Sequence, residues 1–378
     1  MAQYVEAAPR IPLRAYRVVR YLPLGVAIGL VVFVLAYVLF IADPTPASGE
    51  GNWRTTRFGS AVDDPSNFFR TVVDSVTFAA LLFIVASGFT LVFGLMRVVN
   101  MAHGSFFLLG GYIALKLQRY FAGGSSVFGL TSDQVSAANW IFPLLIATAC
   151  IAIVGVVMQQ LFLRWNQGQD LRQALITIAI SIIAADQIVA HFVKGGAASL
   201  TFPDFLGSDK RLDFGFGGIV YPWSRLFTFF VAVGIGIALW VWLRKTRTGM
   251  IIRAGVDDRG MVSALGINVQ LVFAIAFLVG AALAGLGGVI GGSSASLDVG
   301  TDGNWLLNSL VVVIIGGMGS LGGAAVGALL YAFVDQFAAL YLPSTGAGCC
   351  TQYSSILTFV LLAVVLAVRP LGLFGRPA

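Results

Sequence analysis

The side chains best able to perform acid–base chemistry are few in this sequence, and they do not form a catalytic set. The chain has two histidines, His103 and His191, and histidine is the residue that most readily transfers protons near neutral pH. A catalytic histidine needs a nucleophile or a metal co-ligand, and neither Ser105 nor Asp74 forms a recognisable set with His103. The sequence therefore predicts no enzyme active site and favours a hydrogen-bonding role for His103.

Metal and nucleotide chemistry also lack the motifs that they require. The three cysteines, Cys150, Cys349 and Cys350, lie in no CxxC motif and in no Cys/His cluster. No GxxxxGK[ST] loop, which would bind the phosphates of ATP, occurs in the chain. We therefore expect no metal site, no cofactor and no ATPase site in this chain.

Two segments interrupt otherwise apolar sequence and are the strongest candidates for function. The first, Arg97–Ser105, places Asn100 and His103 between two apolar runs. The second, Gly316–Gly323, is rich in glycine, which costs up to ~1 kcal/mol relative to alanine inside a helix. Non-helical backbone within a membrane persists only where it is buried in protein or lines a cavity.

These breaks have two interpretations, which the sequence leaves open. Gly280, Ala284 and Gly288 follow one another at four-residue steps, a spacing typical of closely packed helices. Broken helices in two parts of one chain also indicate the translocation path of a transporter. The candidates for lining such a path are Asn100, His103, Ser105, Gly316, Gly317, Gly319 and Ser320.

Three carboxylates lie in or near apolar runs, namely Asp74, Asp186 and Asp335. Intramembrane carboxylates are functional candidates by default. No lysine or arginine close in sequence lies deep enough in the bilayer to pair with them, so placement at the membrane interface is the simpler interpretation.

The elements that must position these residues are predicted to be membrane helices. Hydrophobic residues make up 58% of the chain and charged residues 11%, and the mean hydropathy is +0.90. This leaves too little polar surface to cover a soluble particle, so lipid must surround the chain. The net charge is +6, but the basic residues lie in short segments between apolar runs, which excludes a nucleic-acid-binding face.

Apolar segments long enough to cross ~30 Å of hydrocarbon predict an all-α fold, a polytopic transmembrane bundle of about ten helices, some of them broken. Most of the 23 basic residues fall on one side when the N-terminus is placed inside, so both termini are predicted to be cytoplasmic. The first segment exceeds a signal-peptide core and is expected to be retained. The segments are 21–41, 72–96, 104–121, 139–163, 173–193, 223–243, 269–291, 305–317, 321–342 and 353–369. Two long external segments, 42–70 and 194–222, are predicted to be loops.

A polar segment between the sixth and seventh predicted helices, residues 244–268, is expected to be cytoplasmic and ordered. Asp257 and Asp258 suit a first helical turn, and Gly266 suits a helix end. The pattern predicts one short amphipathic helix, whose stripe is too narrow to bind lipid and favours docking on a cytoplasmic partner. The residues of the apolar stripe are Met261, Val262 and Leu265.

Several motifs resemble those of LivH-type permeases, the membrane subunits of branched-chain amino acid ATP-binding-cassette importers. The resemblance runs from about residue 67 to the C-terminus in the order and spacing of that family, and it does not cover residues 1–66. We therefore expect an extension at 1–66, with one transmembrane helix and an external loop, and a permease domain at 67–378. The motifs are Ser87–Ser105 with Gly111 and Tyr112, Arg247–Gly255, Ala264–Asn268, Gly280–Gly285, Gly316–Gly323 and Arg369–Pro377.

The resemblance implies a multi-pass subunit of a bacterial inner (cytoplasmic) membrane that moves branched-chain amino acids. It also implies a second related permease, two cytoplasmic ATP-binding subunits that use ATP and Mg, and a periplasmic substrate-binding protein as partners. Segment 253–268 resembles the coupling helix of the family, which contacts the ATP-binding subunits. The residues that this assigns to coupling are Arg253, Asp257, Asp258, Arg259, Met261, Leu265 and Gly266.

Two other functions stay open at this point. A urea or short-amide importer permease shares the Asn-Met-Ala-His-Gly motif at residues 100–104. A secondary transporter or channel would work without ATP-binding subunits.

Overall fold

The computed structural model of the chain describes residues 65–96, 100–122, 137–166, 168–192, 198–207, 211–213, 220–257, 259–341 and 352–375. The predicted first helix at 21–41, most of the proposed N-terminal extension, and the pair Cys349 and Cys350 lie outside these residues.

Helices account for almost all of the described residues, and each predicted segment from 72–96 onward coincides with one of them. A π-helical turn at Gln159–Leu163 and a 3-10 turn at Arg164–Asn166 extend the third helix. The helices are α1 Pro65–Met96, α2 His103–Ala122, α3 Ala137–Met158, α4 Asp170–Phe192, α5 Trp223–Lys245, α6 Arg247–Asp257, α7 Arg259–Ala264, α8 Val269–Ser294, α9 Thr301–Gly316, α10 Leu321–Tyr341 and α11 Gln352–Val368.

Six of the described helices are long and apolar enough to cross a membrane: α1, α3, α4, α5, α8 and α10. Helices α9 and α11 are apolar but shorter. The polytopic helical membrane fold is therefore confirmed. The number of about ten transmembrane helices and the cytoplasmic position of both termini stay predictions.

Helices α1 and α8 lie at the centre of the bundle, and α8 packs against α1, α2 and α3. Small residues allow the helix backbones to approach each other closely. A Cβ atom placed on Gly110 of α2 would lie only 2.7 Å from the Cα of Gly285, and one on Gly88 of α1 would lie 2.6 Å from the carbonyl oxygen of Gly280. Close helix packing, as the four-residue spacing predicts, therefore accounts for the small residues of α8.

The described residues of the segment 194–222, which was predicted to be an external loop, include regular structure. It contains a 3-10 turn at Asp204–Leu206 and two antiparallel strands, β1 Arg211–Asp213 and β2 Val220–Pro222. Ala198 also forms an isolated antiparallel bridge with Leu297, beyond the end of α8.

Tyr221 of β2 fastens this segment to α1. Its side chain is only 1% exposed, and its hydroxyl donates to Asp74 Oδ1 at 3.0 Å and lies 2.8 Å from Thr77 Oγ1. Arg225, in the first turn of α5, donates to the same carboxylate oxygen of Asp74. Asp74 is therefore paired by a residue far away in sequence, which the sequence analysis did not anticipate.

Replacing Tyr221 with phenylalanine should change how stability depends on pH. Burial raises the pKa of Tyr221 from 10.0 to about 12, so the folded protein keeps this proton at pH values where the unfolded chain releases it. Stability must then fall as pH rises from 10 towards 12 in the wild type, by roughly 1 kcal/mol per pH unit from this group. Tyr221→Phe lacks that component but loses about 1 kcal/mol at lower pH with its hydrogen bonds.

The measurement is thermal unfolding in detergent from about pH 8 to about pH 11. The unfolding temperatures of the wild type and of Tyr221→Phe should approach each other as the pH rises. Tyr120→Phe is the matched control, because Tyr120 is 57% exposed. Parallel curves for wild type and Tyr221→Phe across this range would contradict the buried, protonated hydroxyl.

The short helix predicted from Asp257 to Leu265 is present as α7, which runs from Arg259 to Ala264. A further helix, α6 from Arg247 to Asp257, precedes it and was not predicted; Asp258 lies outside the described residues. Helix α6 begins at Arg247 because Thr246 is its N-cap. The Gly249 N–H donates to Thr246 Oγ1 at 3.1 Å, as expected of an N-cap threonine.

Candidate functional site

The end of α1, which precedes the first predicted break, lies at one end of the bundle with the glycine-rich turn and the segment from Arg247 to Asn268. Near the end of α1, Gly94 lies against the glycine-rich turn between α9 and α10, where a Cβ on Gly94 would lie 3.0 Å from the Cα of Gly319. Ile252 and Arg253 of α6 line a cleft together with Gly94 and Gly319. Three features that are far apart in sequence therefore share one region.

Asn100 forms the turn that precedes α2. It is 3% exposed, and its Oδ1 accepts a hydrogen bond from the Ala102 N–H at 3.1 Å. Its carbonyl oxygen accepts from the His103 N–H at 3.2 Å. Among the described residues the Asn100 Nδ2 has no partner, so part of this buried amide is left available.

His103 is fully buried and joins α2 to α1. Its Nε2 lies 3.0 Å from the carbonyl oxygen of Val85, and since a carbonyl only accepts, the ring must carry a proton on Nε2. The ring also meets Phe89 edge-on, with centroids 5.3 Å apart. This geometry suits a structural donor, and it gives His103 no nucleophile to activate.

Ser105 belongs to a polar seam between α2 and α4, formed by Met101 and Ser105 on one side and Thr177 and Ser181 on the other. The Met101 N–H donates to Thr177 Oγ1 at 3.2 Å, and the hydroxyl oxygens of Ser105 and Ser181 are 2.9 Å apart. The buried residues of α4 are only Gln173, Thr177 and Ile188. Hydroxyl hydrogen bonds therefore hold α4 to α2 where a larger apolar contact would otherwise be needed.

The turn Gly317–Ser320 connects α9 to α10 and requires glycine at two positions. Gly317 and Gly319 have φ angles of +100° and +80°, a conformation that other residues rarely adopt. Ser320 begins α10 by accepting the Gly323 N–H at 3.1 Å. A Cβ on Gly316 would overlap the carbonyl of Gly323, so this pair brings α9 and α10 into direct backbone contact.

The segment after α11 closes against this turn. The Leu373 N–H donates to the Ile315 carbonyl at 2.9 Å, and the Phe374 N–H donates to the Gly316 carbonyl at 3.0 Å. These bonds satisfy the carbonyls at the end of α9 that the helix itself leaves unpaired. Backbone contacts therefore fix the glycine-rich turn on both sides.

The predicted apolar stripe of the coupling segment is divided between the interior and the surface. Val262 is 3% exposed, whereas Met261 and Leu265 are 63% and 73% exposed. Gly266 ends α7 with a φ of +77°, as the sequence predicts. Met261 and Leu265 therefore form an exposed apolar pair beside this turn.

The charges of this region are basic. Arg244, Lys245, Arg247 and Arg253 are exposed, and the sequence has no Asp or Glu from Phe214 to Val256. Asp257 and Arg259 lie at the facing ends of α6 and α7. No group of three or more His, Cys, Asp or Glu residues that could hold a metal occurs within the described ranges.

Sequence analysis missed Thr90, a buried residue of α1 that lines the same cleft. Its Oγ1 has no hydrogen-bond partner among the residues that the structure describes. Nothing in the sequence distinguishes Thr90, because one threonine inside an apolar helix is common.

Comparison with known proteins assigns this arrangement to a family. The sequence model of the family described as "Branched-chain amino acid transport system / permease component" matches residues 71–366. The high-affinity branched-chain amino acid transport system permease protein LivH of Salmonella typhimurium is 26% identical over 319 residues, which cover 82% of this chain and 96% of that protein.

Two further similar proteins are also named as branched-chain amino acid transport permeases. The high-affinity branched-chain amino acid transport system permease protein BraD of Pseudomonas aeruginosa is 26% identical over 315 residues, covering 82% of this chain and 97% of that protein. The probable branched-chain amino acid transport permease protein LivH of Methanocaldococcus jannaschii is 23% identical over 307 residues, or 80% and 90% of the two chains. No solved structure matches this chain.

Proposed function

Because this chain belongs to the family of branched-chain amino acid transport permease components, we propose that it forms the membrane path for branched-chain amino acids in an importer driven by ATP. The observation that carries the proposal is the match over residues 71–366, which includes every described helix that is apolar and long enough to cross a membrane, apart from the first residues of α1. A permease component is a transport subunit and not an enzyme.

The partners follow from the same proposal. A second related permease completes the path, two cytoplasmic ATP-binding subunits bind ATP and Mg, and a periplasmic binding protein delivers the amino acid. In this arrangement α6, α7 and the glycine-rich turn face the cytoplasm of a bacterial inner membrane. The basic residues Arg244, Lys245 and Arg247 at this end of α5 support that orientation, because basic residues accumulate on the cytoplasmic side.

Met261 and Leu265 are proposed to dock into a groove of an ATP-binding subunit. Exposed apolar residues on a short helix suit such a contact, and α6 and α7 connect α5 directly to α8. Movement of the docked segment would then be transmitted to two membrane helices. Arg253, Asp257, Asp258, Arg259 and Gly266 belong to the same coupling segment.

The amino acid path is proposed to include Asn100, His103 and Ser105 with the turn Gly316–Ser320. In this structure the three side chains are buried within one chain. The path therefore requires α2 and α4 to separate along their polar seam. The Nδ2 of Asn100, which has no partner among the residues that the structure describes, would then bind a polar group of the substrate.

Transport by the reconstituted importer tests the proposal. Proteoliposomes that contain the chain with its ATP-binding subunits, second permease and binding protein should accumulate labelled leucine, isoleucine or valine only when ATP and Mg are supplied. Urea and short amides serve as competing substrates in the same assay. Uptake of urea without uptake of leucine would overturn the substrate assignment, and uptake without ATP would overturn the importer class.

A further inference from the structure

The C-terminal motif Arg369–Pro377 is not used by the proposed transport path. After α11 the chain turns back towards the end of α9. The Gly372 N–H donates to the Arg369 carbonyl at 2.9 Å, and the Arg369 guanidinium donates to the Leu373 carbonyl at 2.9 Å. Residues Arg369–Gly375 therefore form a compact turn, the C-terminal turn.

Backbone contacts fix the C-terminal turn to the glycine-rich turn between α9 and α10. A Cβ on Gly372 would lie 2.6 Å from the Gly317 nitrogen, and one on Gly317 would overlap the Gly375 nitrogen. Gly372 has a φ of +79°, a conformation that favours glycine. With the bonds from Leu373 and Phe374 to the end of α9, these contacts leave the two turns little freedom to move separately.

Three apolar side chains of these two turns are exposed. Met318 is 49% exposed, Leu371 is 45% exposed and Phe374 is 53% exposed. Leu373, between the last two in sequence, instead packs against the buried residues of α1, α9 and α10. Because the two turns are in backbone contact, Met318, Leu371 and Phe374 lie on one part of the surface, the tail patch.

The tail patch lies outside the hydrocarbon of the bilayer. Both turns are non-helical, and backbone of this kind is not exposed to hydrocarbon. The turns follow the last residues of two apolar helices, Gly316 of α9 and Val368 of α11. An apolar patch beyond those helix ends is unfavourable in water and indicates a contact with another protein.

The position of the tail patch indicates which protein covers it. Gly319, next to Met318, lines a cleft together with Arg253 of α6. Helix α6 continues directly into α7, which carries the exposed Met261 and precedes the exposed Leu265. The tail patch therefore extends the surface on which the ATP-binding subunit is proposed to dock.

We infer that the tail patch is a second contact for the ATP-binding subunit, with Phe374 and Leu371 as its anchors. This inference rests on the proposed function, which supplies that subunit. Backbone bonds already hold both anchors in place, so little conformational freedom is lost when they bind. The C-terminal turn is bonded to α9 and the coupling segment is joined to α5 and α8, so one subunit that held both would move separate parts of the bundle together.

Photo-crosslinking in the assembled importer identifies what covers the tail patch. The photoreactive residue p-benzoylphenylalanine replaces Phe374 in the full chain, and the complex is reconstituted in nanodiscs with its second permease and ATP-binding subunits. Irradiation should join this residue to an ATP-binding subunit, and mass spectrometry identifies the linked peptide. The matched control carries the same residue in place of Phe205, which is 48% exposed in the segment 194–222 and should give no such product.

The affinity of the permease for its ATP-binding subunit gives a second measurement. Permease pairs in nanodiscs are titrated with the purified subunit, using the wild type, Phe374→Ala and Leu371→Ala. Each substitution should weaken binding about tenfold, as expected for an interface anchor, whereas Phe205→Ala should match the wild type. Both anchors are exposed, so the variants should keep the wild-type elution volume in size-exclusion chromatography.

The two measurements separate this inference from the proposed function. A crosslink from position 374 to phospholipid alone would overturn the second contact, because the membrane surface would then cover the tail patch. Wild-type affinity in both Phe374→Ala and Leu371→Ala would overturn it as well. Failure of the wild type to bind the ATP-binding subunit would count against the importer class and this inference together, whereas uptake of urea instead of leucine would change neither measurement.

Discussion

Replacing Leu265 with aspartate should abolish ATP-driven uptake while the permease still folds and inserts. Leu265 is 73% exposed, so the substitution creates no cavity and removes no internal contact of consequence. If Leu265 is buried against an ATP-binding subunit, a carboxylate there must lose its water, and a central interface residue contributes at least ~2 kcal/mol, or about thirtyfold in affinity. Uptake and permease-stimulated ATP hydrolysis should fall together.

The matched control is Val299→Asp, which places the same charge on a residue that is 64% exposed at the opposite end of the bundle. Val299→Asp should retain the ATP-binding subunits during purification, and Leu265→Asp should lose them. Retention of those subunits at wild-type levels by Leu265→Asp would exclude the Met261 and Leu265 pair as the docking contact.

Replacing Gly288 with alanine should destabilise the whole bundle. A Cβ at this position would overlap the carbonyl oxygen of Phe107 and would lie 3.1 Å from the Gly111 backbone nitrogen. Helices α2 and α8 would have to separate, and such overpacking costs about 1–3 kcal/mol for a small group. Gly288→Leu should cost more and prevent most of the chain from reaching a monodisperse state in detergent.

Gly234→Ala is the control for Gly288→Ala, because Gly234 also lies in a membrane helix but has no atom within 4 Å of its added Cβ. Alanine has the higher helix propensity, so this variant should match the wild type or exceed its stability by up to ~1 kcal/mol. Thermal unfolding followed by size-exclusion chromatography compares the two variants. Equal unfolding temperatures would contradict the close crossing of α2 and α8.

The fold was largely predictable because lipid imposes a simple rule, that long apolar segments become helices. Helix ends were less predictable. The start of α1 at Pro65 lies before the apolar run, since polar first-turn residues carry no hydropathy signal. The start of α6 was present in the sequence as Thr246 followed by Gly249, but the basic residues around it obscured this capping pattern.

Contacts between distant residues limited the prediction of the candidate site. Tyr221 resembles an aromatic residue of the membrane interface, and its hydrogen bond to Asp74 spans 147 positions, so no local pattern could reveal it. Asn100 and the glycine-rich turn were found because each violates helix propensity locally. Thr90 departs from no such local pattern, and only the packing of α1 against α5 and α6 shows that its hydroxyl lacks a partner within the described ranges.

If the proposed path opens along the polar seam between α2 and α4, water has a direct role in that step. A water molecule can replace either partner in the pair Ser105 and Ser181, or the bond from Met101 to Thr177, at nearly equal enthalpy. It cannot replace an apolar contact in the same way. The first water to enter the seam would therefore lower the cost of admitting the next, so wetting and helix separation would proceed together as one cooperative step.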